Sequence, residues 1–266
     1  MATLGFIGCG NMGGALARAA CKSIPSDQVF LANRTPEKAR LLAEELDCRV
    51  ADNAAIAENA DFIFLGVKPQ MMAGMLADIA PLLEKRETRF ILVSMAAGLT
   101  IADIQNLAGG SYPVIRIMPN TPAAIGEGMI LYTCGAGVTK TEEKLFLDFM
   151  AGAGRLAAIP EEHMDVSSAV AGCGPAFVDL FLEAMADGGV ACGLPRAQAL
   201  EFAAQMMVGS ARLALESGKH PGALKDAVCS PAGSTIQGVR ALEKGGFRSA
   251  VMEAVIAAYE KSKALR

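Results

Sequence analysis

Apolar residues in the first part of the chain occur in short continuous runs, separated by longer stretches with helical spacing. Continuous apolar runs of this kind are typical of strands buried on both faces of a sheet. Eight strands are predicted, at Leu4–Ile7, Gln28–Ala32, Arg49–Val50, Asp61–Leu65, Arg89–Val93, Pro113–Met118, Gly128–Tyr132 and Arg155–Ile159. Because helical stretches connect most of them, the pattern predicts an α/β domain with a mostly parallel sheet covered on both faces.

The helices between these strands are predicted from periodicity and from their first-turn residues. Pro36 suits the first turn of one helix, and Glu142 and Glu143 follow Thr141, which is expected to cap another. The predicted helices in this part are Gly14–Ala20, Pro36–Leu46, Met71–Leu83 and one that begins after Thr141.

After Pro160 the pattern becomes helical, and no strand is predicted from Glu161 to Arg266. The predicted helices are Pro175–Cys192, Pro195–Ser217, Pro221–Val228, Ser234–Lys244 and Phe247–Leu265. Two domains are therefore expected: an α/β domain at residues 1–160 and an all-helical domain at 161–266.

The first helix of the second domain is apolar around most of its circumference. Its acidic residues form one narrow stripe at Asp179, Glu183 and Asp187. A small monomeric bundle does not cover such a helix, so an intertwined helical dimer is predicted. Burial of the helix by its own subunit is the alternative.

Composition narrows the classes of function. The chain has 266 residues, a net charge of -4 and 52% hydrophobic residues, but no uninterrupted apolar run that would span a bilayer. No basic face for nucleic acid is expected, and no basic leader precedes the first strand, so neither a signal peptide nor a membrane association is predicted. The excess apolar surface is expected to be buried partly between subunits.

The cysteines and histidines favour neither a metal site nor a disulfide framework. Only two histidines occur, and no Cys-x-x-Cys is present. No metal is predicted, a reducing cytoplasmic location is expected, and the thiols are interpreted as small apolar residues. The cysteines are Cys9, Cys21, Cys48, Cys134, Cys173, Cys192 and Cys229.

A glycine motif follows the first predicted strand. Gly8, Gly10 and Gly13 form Gly-x-Gly-x-x-Gly, with a predicted helix directly after it. The first glycine allows a tight turn, the second a close approach of a pyrophosphate, and the third close packing of helix on strand. The helix N-terminus adds free N–H groups for the phosphates. A dinucleotide site is predicted, which makes residues 1–160 a Rossmann-type dinucleotide-binding domain; a glycine-rich turn without ligand is the alternative.

The end of the second strand bears on the choice of cofactor. NAD-preferring folds usually have a carboxylate there, whereas this chain has Asn33, Arg34 and Thr35. Arg34 can pair with a 2′-phosphate, and its neighbours can donate hydrogen bonds to it. NADPH is therefore favoured, and NADH is possible. A solvated loop arginine is the alternative reading of Arg34.

Three further loops leave the carboxyl ends of predicted strands, where ligands bind in such sheets. They are Gly66–Pro69, Ser94–Gly98 and Met118–Pro122. Small residues in the second would let the backbone approach a nicotinamide. Lys68 is the cation expected near it, with an ordinary surface lysine as an equal alternative.

A loop rich in small polar residues precedes a helix late in the chain. Free N–H groups at Gly233, Ser234 and Thr235 would form a nest for a carboxylate, and Ser230 would add a hydroxyl. Ordinary helix capping is the alternative. A second such loop, 171–176, precedes the acidic-striped helix.

Taken together, these segments resemble the pyrroline-5-carboxylate reductase family over essentially the whole chain. The most specific segment is 228–236, Val-Cys-Ser-Pro-Ala-Gly-Ser-Thr-Ile, in which Ala232 stands where relatives often have glycine. If Ala232 must adopt a positive φ, it would be strained. The other segments that carry the resemblance are 6–13, Val67–Gln70, Met118–Pro122 and 172–176.

The resemblance implies hydride transfer from NAD(P)H to the C=N carbon of 1-pyrroline-5-carboxylate, which gives L-proline in the final step of proline biosynthesis. It also implies a homodimer through the C-terminal helices, commonly assembled into larger rings. The implied cofactor residues are Ile7, Gly8, Cys9, Gly10, Asn11 and Met12 for the pyrophosphate, Asn33 and Arg34 for the adenosine ribose or its phosphate, Asn53, Gly66, Val67, Lys68 and Pro69 for the middle of the cofactor, and Met95, Ala96 and Ala97 near the nicotinamide. The implied substrate residues are Ser230, Gly233, Ser234 and Thr235, with Thr235 nearest the ring nitrogen and the candidate catalytic residue.

Two other functions are weighed against this one. A β-hydroxyacid dehydrogenase would need an acid–base lysine on the long helix after the glycine-rich loop, and none lies between Gly174 and Cys192. A NADPH-binding sensor without turnover would leave the proposed carboxylate nest unused.

Overall fold

The computed structural model describes residues 2–264 and contains one eight-stranded sheet, with strand order β3-β2-β1-β4-β5-β6-β7-β8. All eight predicted strands are confirmed, with ends that differ by no more than two residues. The strands are β1 (Leu4–Ile7), β2 (Val29–Ala32), β3 (Arg49–Val50), β4 (Phe62–Leu65), β5 (Ile91–Ser94), β6 (Val114–Met118), β7 (Gly128–Cys134) and β8 (Gly154–Ala158).

The sheet is parallel apart from one pair. Strands β6 and β7 run antiparallel, with Ile117 opposite Tyr132. Residues 119–127 connect them, which is too short for the crossover that a parallel pair needs. A one-and-a-half-turn 3-10 segment, Thr121–Ile125, reverses the chain instead.

Seven helices accompany the strands, and three of them were not predicted. The helices are α1 (Asn11–Ala20), α2 (Pro36–Leu46), α3 (Asn53–Asn59), α4 (Pro69–Glu84), α5 (Ile101–Ala108), α6 (Lys140–Met150) and α7 (Met164–Ala171). The unpredicted ones, α3, α5 and α7, are only seven or eight residues long. Two of them depend on side-chain caps, Asp52 for α3 and Thr100 for α5. The predicted cap of α6 was wrong: Thr139, not Thr141, caps it in a capping box with Glu142.

Both faces of the sheet are covered, as predicted. Along β4, Phe62 and Phe64 point into one apolar cluster, whereas Ile63 and Leu65 point into the other. Helices α1 and α6 contribute Leu16 and residues such as Phe146 to the first cluster, and α4 packs on the opposite face. The alternation explains why a central strand such as β4 is continuously apolar.

The remaining helices are α8 (Gly174–Ala191), α9 (Arg196–Ser217), α10 (Pro221–Ala227), α11 (Ser234–Lys244) and α12 (Phe247–Lys263). They confirm the predicted helical second part, in which residues 161–264 include no strand; the predicted end at Leu265 lies outside the described residues. The chain divides into two compact units: the first runs to Cys173 and resumes at Ala258, and the second is Gly174–Ala257. The boundary at 160/161, drawn where strands end, stays a prediction.

One helical stretch is apolar enough to be compared with a membrane span. By length and composition alone, Glu161–Ala191 would suffice to cross a bilayer, and 11% of its most apolar window is buried within the chain. The stretch contains Gly172, Gly174 and Pro175, and its acidic stripe interrupts the apolar surface. Contact with another protein surface is therefore the alternative to a membrane for burying this helical stretch.

Candidate active site

The turn after β1 is shaped by close backbone contacts. Gly8 has φ +103°, which favours glycine. A Cβ on Gly13 would lie 2.0 Å from the carbonyl oxygen of Gly8, and a Cβ on Gly66 would lie 2.4 Å from the same atom. The loop after β4 is further joined to β1 because Gly66 N–H donates to the carbonyl of Ile7 at 2.8 Å. These contacts place the ends of β1 and β4 side by side, at the point where the strand order reverses.

Gly10 differs from these glycines because the protein itself does not require it. Its φ of -72° is available to any residue, and a Cβ there would meet nothing within 4 Å. Gly10 precedes α1 and offers no side-chain cap to the free N–H groups of the first turn. Open space beside an uncapped helix N-terminus fits a phosphate that approaches the backbone closely. This part of the structure is suited to the pyrophosphate of a dinucleotide.

Asn33 links the ends of β1 and β2. Its Oδ1 accepts a hydrogen bond from Cys9 N–H at 3.1 Å, and its Nδ2 donates to the carbonyl of Thr35 at 3.0 Å. The amide thus supports the glycine turn, and its contact with a cofactor stays a prediction. The thiol of Cys9 lies inside the turn, where burial raises its pKa to about 11.

Arg34 is exposed, and within residues 2–264 its guanidinium makes no hydrogen bond or ion pair. Nearby arginines are occupied: Arg18 pairs with Glu45, and Arg40 pairs with Glu37. No carboxylate stands at the end of β2. Arg34 is therefore available to a 2′-phosphate.

The other predicted cofactor residues lie at the carboxyl ends of neighbouring strands. Asn53 begins α3 after β3, Gly66–Pro69 join β4 to α4, and Met95–Ala97 follow β5. Parallel strands bring these ends to one edge of the sheet. Lys68 is exposed at the start of α4, and Met95 is half-buried, while Ala96 is buried and donates weakly to Ser94 Oγ at 3.4 Å. The structure thus gathers the predicted cofactor residues along the edge that also contains the glycine turn.

The Met118–Pro122 loop has a structural function that sequence reasoning did not predict. Asn120 is 9% exposed, and both ends of its amide are used: Oδ1 accepts from Met129 N–H at 2.8 Å, and Nδ2 donates to the carbonyl of Ala171 at 2.9 Å. The side chain therefore ties the end of β6 to the end of α7.

A buried arginine was also missed. Arg116 on β6 is 1% exposed, with Nη1 at 3.1 Å from Glu161 and Nη2 at 3.5 Å from Asp165. Glu161 also accepts a hydrogen bond from Ile101 N–H at 2.8 Å. The signal was present as one charge within an otherwise apolar strand. Together with Asn120, this ion-pair cluster fixes the 161–171 segment to the sheet.

The predicted substrate loop is a tight turn before α11. Gly233 is the N-cap, and a Cβ on it would lie 2.4 Å from Ser230 Oγ. Its N–H donates to the carbonyl of Ser230 at 3.0 Å, so the prediction that this N–H is free was wrong. Ser234 and Thr235 are exposed in the first turn of the helix, where N–H groups have no intrahelical partner. Ala232 adopts φ +57°, which confirms the strain expected there.

Two chemistries lack support in the structure. No group of three or more His, Cys, Asp or Glu side chains among residues 2–264 is arranged to hold a metal ion. Helix α8 contains no lysine, which a β-hydroxyacid dehydrogenase would need there.

Comparison with known proteins matches two families. Residues 161–265 match the family described as pyrroline-5-carboxylate reductase dimerisation, and residues 3–98 match NADP oxidoreductase coenzyme F420-dependent. The chain is 42% identical to the pyrroline-5-carboxylate reductase of Escherichia coli K12, over 98% of this chain and 97% of that one. It is 40% identical to that of Pisum sativum, over 99% and 96%. A crystal structure of Plasmodium falciparum pyrroline carboxylate reductase with NADP bound superposes with a TM-score of 0.89 at 34% identity, covering 99% of this chain and 98% of that one.

Proposed function

The chain belongs to the pyrroline-5-carboxylate reductase family, and on that premise we propose that it reduces the C=N bond of 1-pyrroline-5-carboxylate to give L-proline. The observation that carries the proposal is that the similarity extends over nearly the whole of both chains. It includes the glycine turn and the 228–236 segment alike. The reaction makes the protein an oxidoreductase that uses a nicotinamide cofactor.

NADPH is the proposed hydride donor. When bound, the reduced nicotinamide supplies the hydride to the imine carbon. The backbone at Gly10, Asn11 and Met12 holds the pyrophosphate, and Arg34 binds the 2′-phosphate. The absence of a carboxylate at the end of β2 favours NADPH over NADH for the same reason. The small residues Ala96 and Ala97 leave space beside the ring.

The substrate is held by its carboxylate at the N-terminus of α11. The N–H groups of Ser234 and Thr235, with the hydroxyls of Ser230 and Ser234, donate to the two carboxylate oxygens. Gly233 contributes through its backbone shape, since its N–H is used within the turn. Exposure of Ser234 and Thr235 leaves these donors accessible.

Reduction of a cyclic imine requires little acid–base catalysis by the protein. Reduction of a carbonyl creates an alkoxide and needs a strong acid, whereas a cyclic imine can be protonated from water before reduction and the product amine is basic. The hydroxyl of Thr235 then orients the ring nitrogen and relays a proton to it with the help of water. Most of the acceleration comes from holding the imine carbon at reacting distance.

The family match over 161–265 points to an oligomer. We infer that the chain forms a homodimer through its C-terminal helices, that dimers assemble further into a ring, and that the protein acts in the cytoplasm. The largely unburied apolar surface of the second unit supports the dimer.

The test is an assay of the purified full-length protein with pyrroline-5-carboxylate and NADPH, with proline measured as the product. Production of proline in step with NADPH oxidation supports the reductase. Oxidation of 3-hydroxy acids with NADP⁺ would indicate a hydroxyacid dehydrogenase instead. Binding of NADPH without turnover of any cyclic imine would indicate a sensor. A reaction mixture without the protein is the control for background reduction.

A further inference from the structure

Two half-buried cysteines face each other in the first unit, and neither is among the residues assigned to cofactor or substrate. Cys21 caps the end of α1, and Cys48 lies between α2 and β3. Their Sγ atoms are 3.2 Å apart although the residues are 27 positions apart in the chain. We propose that Cys21 and Cys48 form a reversible intrachain disulfide on oxidation by a peroxide, so that the pair is a modification site of this protein.

The backbone holds the two thiols together by contacts that do not involve sulfur. Asp47 adopts φ +56° and ends α2, and Cys48 N–H then donates to the carbonyl of Ala43 at 3.0 Å, which returns the chain toward α1. Arg18 of α1 makes two hydrogen bonds to Glu45 of α2, of 2.7 and 2.6 Å. A disulfide of about 2.05 Å needs the sulfurs to approach by only about 1.2 Å.

The hydrogen bond between the thiols gives them different reactivities. Either sulfur can donate in this contact; with Cys48 as the donor, the hydrogen bond lowers the pKa of Cys21 and raises that of Cys48. Since the thiolate is the nucleophile, Cys21 reacts first. The Cys21 thiolate attacks one peroxide oxygen, the O–O bond breaks, and a sulfenic acid and hydroxide form; the hydroxide takes up the proton that the Cys21 thiol released on ionisation and becomes the first water. The Cys48 sulfur then attacks the Cys21 sulfur, its proton leaves with the hydroxide as a second water, and the S–S bond is complete.

In total, the two thiols lose two protons and two electrons, and one hydrogen peroxide becomes two waters. Cys9 does not compete, because it is 7% exposed and burial raises its pKa to about 11. Cys192, which directly follows α8 in the second unit, is exposed and serves as the control cysteine.

The experiment treats the reduced full-length protein with hydrogen peroxide, followed by blocking of free thiols and tryptic mapping without reductant. Cleavage after Arg18, Lys22, Arg40 and Arg49 releases Cys21 in peptide 19–22 and Cys48 in peptide 41–49. The expected product is these two peptides joined, with a loss of two hydrogen atoms and full recovery of both free peptides by dithiothreitol. The Cys192→Ser variant is expected to give the same joined product.

The Cys48→Ser variant tests the order of reaction. Without its partner, the sulfenic acid at Cys21 has no thiol to condense with, so peptide 19–22 is expected to gain two oxygen atoms as sulfinic acid, which dithiothreitol does not reverse. The proposal is overturned if peptides 19–22 and 41–49 of the wild type stay blocked as free thiols while Cys192 is oxidised. It is equally overturned if Cys21 is over-oxidised in the wild type while Cys48 stays free.

Discussion

The two compact units differ in how much apolar surface each buries by itself. In the first, both faces of the sheet are covered, and the largest fully buried side chains, such as Phe6, Phe64 and Phe146, all lie there. In the second, Ala186, Ala199 and Ala203 are the only buried residues in the described range 174–257. The second unit has regular helices but almost no interior of its own.

The difference shows what each unit needs in order to be stable. A unit whose sheet is covered on both faces can be stabilised by its own contacts. Helices with exposed apolar side chains need another protein surface to bury those side chains. Leu180, Phe202 and Leu215 are 68%, 56% and 65% exposed. Because residues 161–265 match a dimerisation family, a second copy is the cover that this comparison favours.

The largest effect is expected from a charge placed on the exposed apolar surface of the second unit. Phe202→Glu would leave an unpaired carboxylate in the proposed interface, so we expect the dissociation constant of the oligomer to rise at least about 100-fold. Activity falls with it because the helices that carry Thr235 lose their cover. Light scattering after size exclusion measures the mass, and the reductase assay measures activity.

The matched control is Leu41→Glu on α2 of the first unit, where the exposure is 53%. The Leu41→Glu variant is expected to keep the oligomer mass and the activity of the wild type, because the first unit is stabilised by its own interior and does not need Leu41 to be covered by another chain. If both variants keep the wild-type mass, a second copy of the chain does not cover the apolar helices of the second unit. Dimerisation then does not explain why that unit buries so little by itself.

The second largest effect is expected from a substitution in the second unit that lowers turnover without weakening cofactor binding by the first unit. Thr235→Ala is expected to lower kcat/KM by about 10- to 100-fold through loss of one hydroxyl at the ring nitrogen. The dissociation constant for NADPH, measured by fluorescence titration, is expected to stay within about twofold, because the cofactor residues belong to the first unit. Thr235→Ser keeps the hydroxyl and should recover most of the activity. An unchanged kcat/KM in the alanine variant would remove Thr235 from the reaction.

Sequence reasoning predicted the first unit well because its local and tertiary signals agree. The central strands such as β1 and β4 are continuous apolar runs, as burial on two faces requires, and the glycine turn follows the first of them. The short helices α3, α5 and α7 were missed because their stability comes from caps and from contacts with distant residues. Helix α7, for example, depends on Arg116 and Asn120, which are more than 40 positions earlier in the chain.

Sequence reasoning predicted which residues gather at the candidate site better than it predicted their hydrogen bonds. The order of residues at the strand ends was enough to gather the cofactor positions, because parallel strands share one edge. It could not show that the amide of Asn33 is engaged by Cys9 and Thr35, or that Gly233 N–H is used inside its own turn. Those hydrogen bonds depend on local backbone angles, which the residue types at these positions do not determine.

A third, more selective effect is expected at the edge of the first unit. Arg34→Ala should weaken binding of NADPH about tenfold and leave NADH almost unchanged, since only NADPH has the 2′-phosphate that the guanidinium would pair with. Titration of both cofactors gives the ratio. Lys38→Ala is the control, because Lys38 is an exposed cation in the first turn of α2. Equal weakening of both cofactors by Arg34→Ala would show that the arginine acts on the structure of the loop.

The smallest effect concerns the one strained residue in the proposed substrate turn. Ala232→Gly removes a Cβ from a backbone at φ +57°, which relieves about 1–2 kcal/mol of strain, while the added freedom of the unfolded chain returns about 0.4–1 kcal/mol. The net gain of roughly 1 kcal/mol should raise the melting temperature by about 2–4 °C. Gly218→Ala is the reverse experiment at φ +62°, where a Cβ meets nothing within 4 Å, so only conformational strain is added. It should lower the melting temperature by a similar amount. If Ala232→Gly instead lowers both stability and activity, the methyl group of Ala232 makes a favourable contact in the assembled protein, and the second unit gains more from its cover than the single chain reveals.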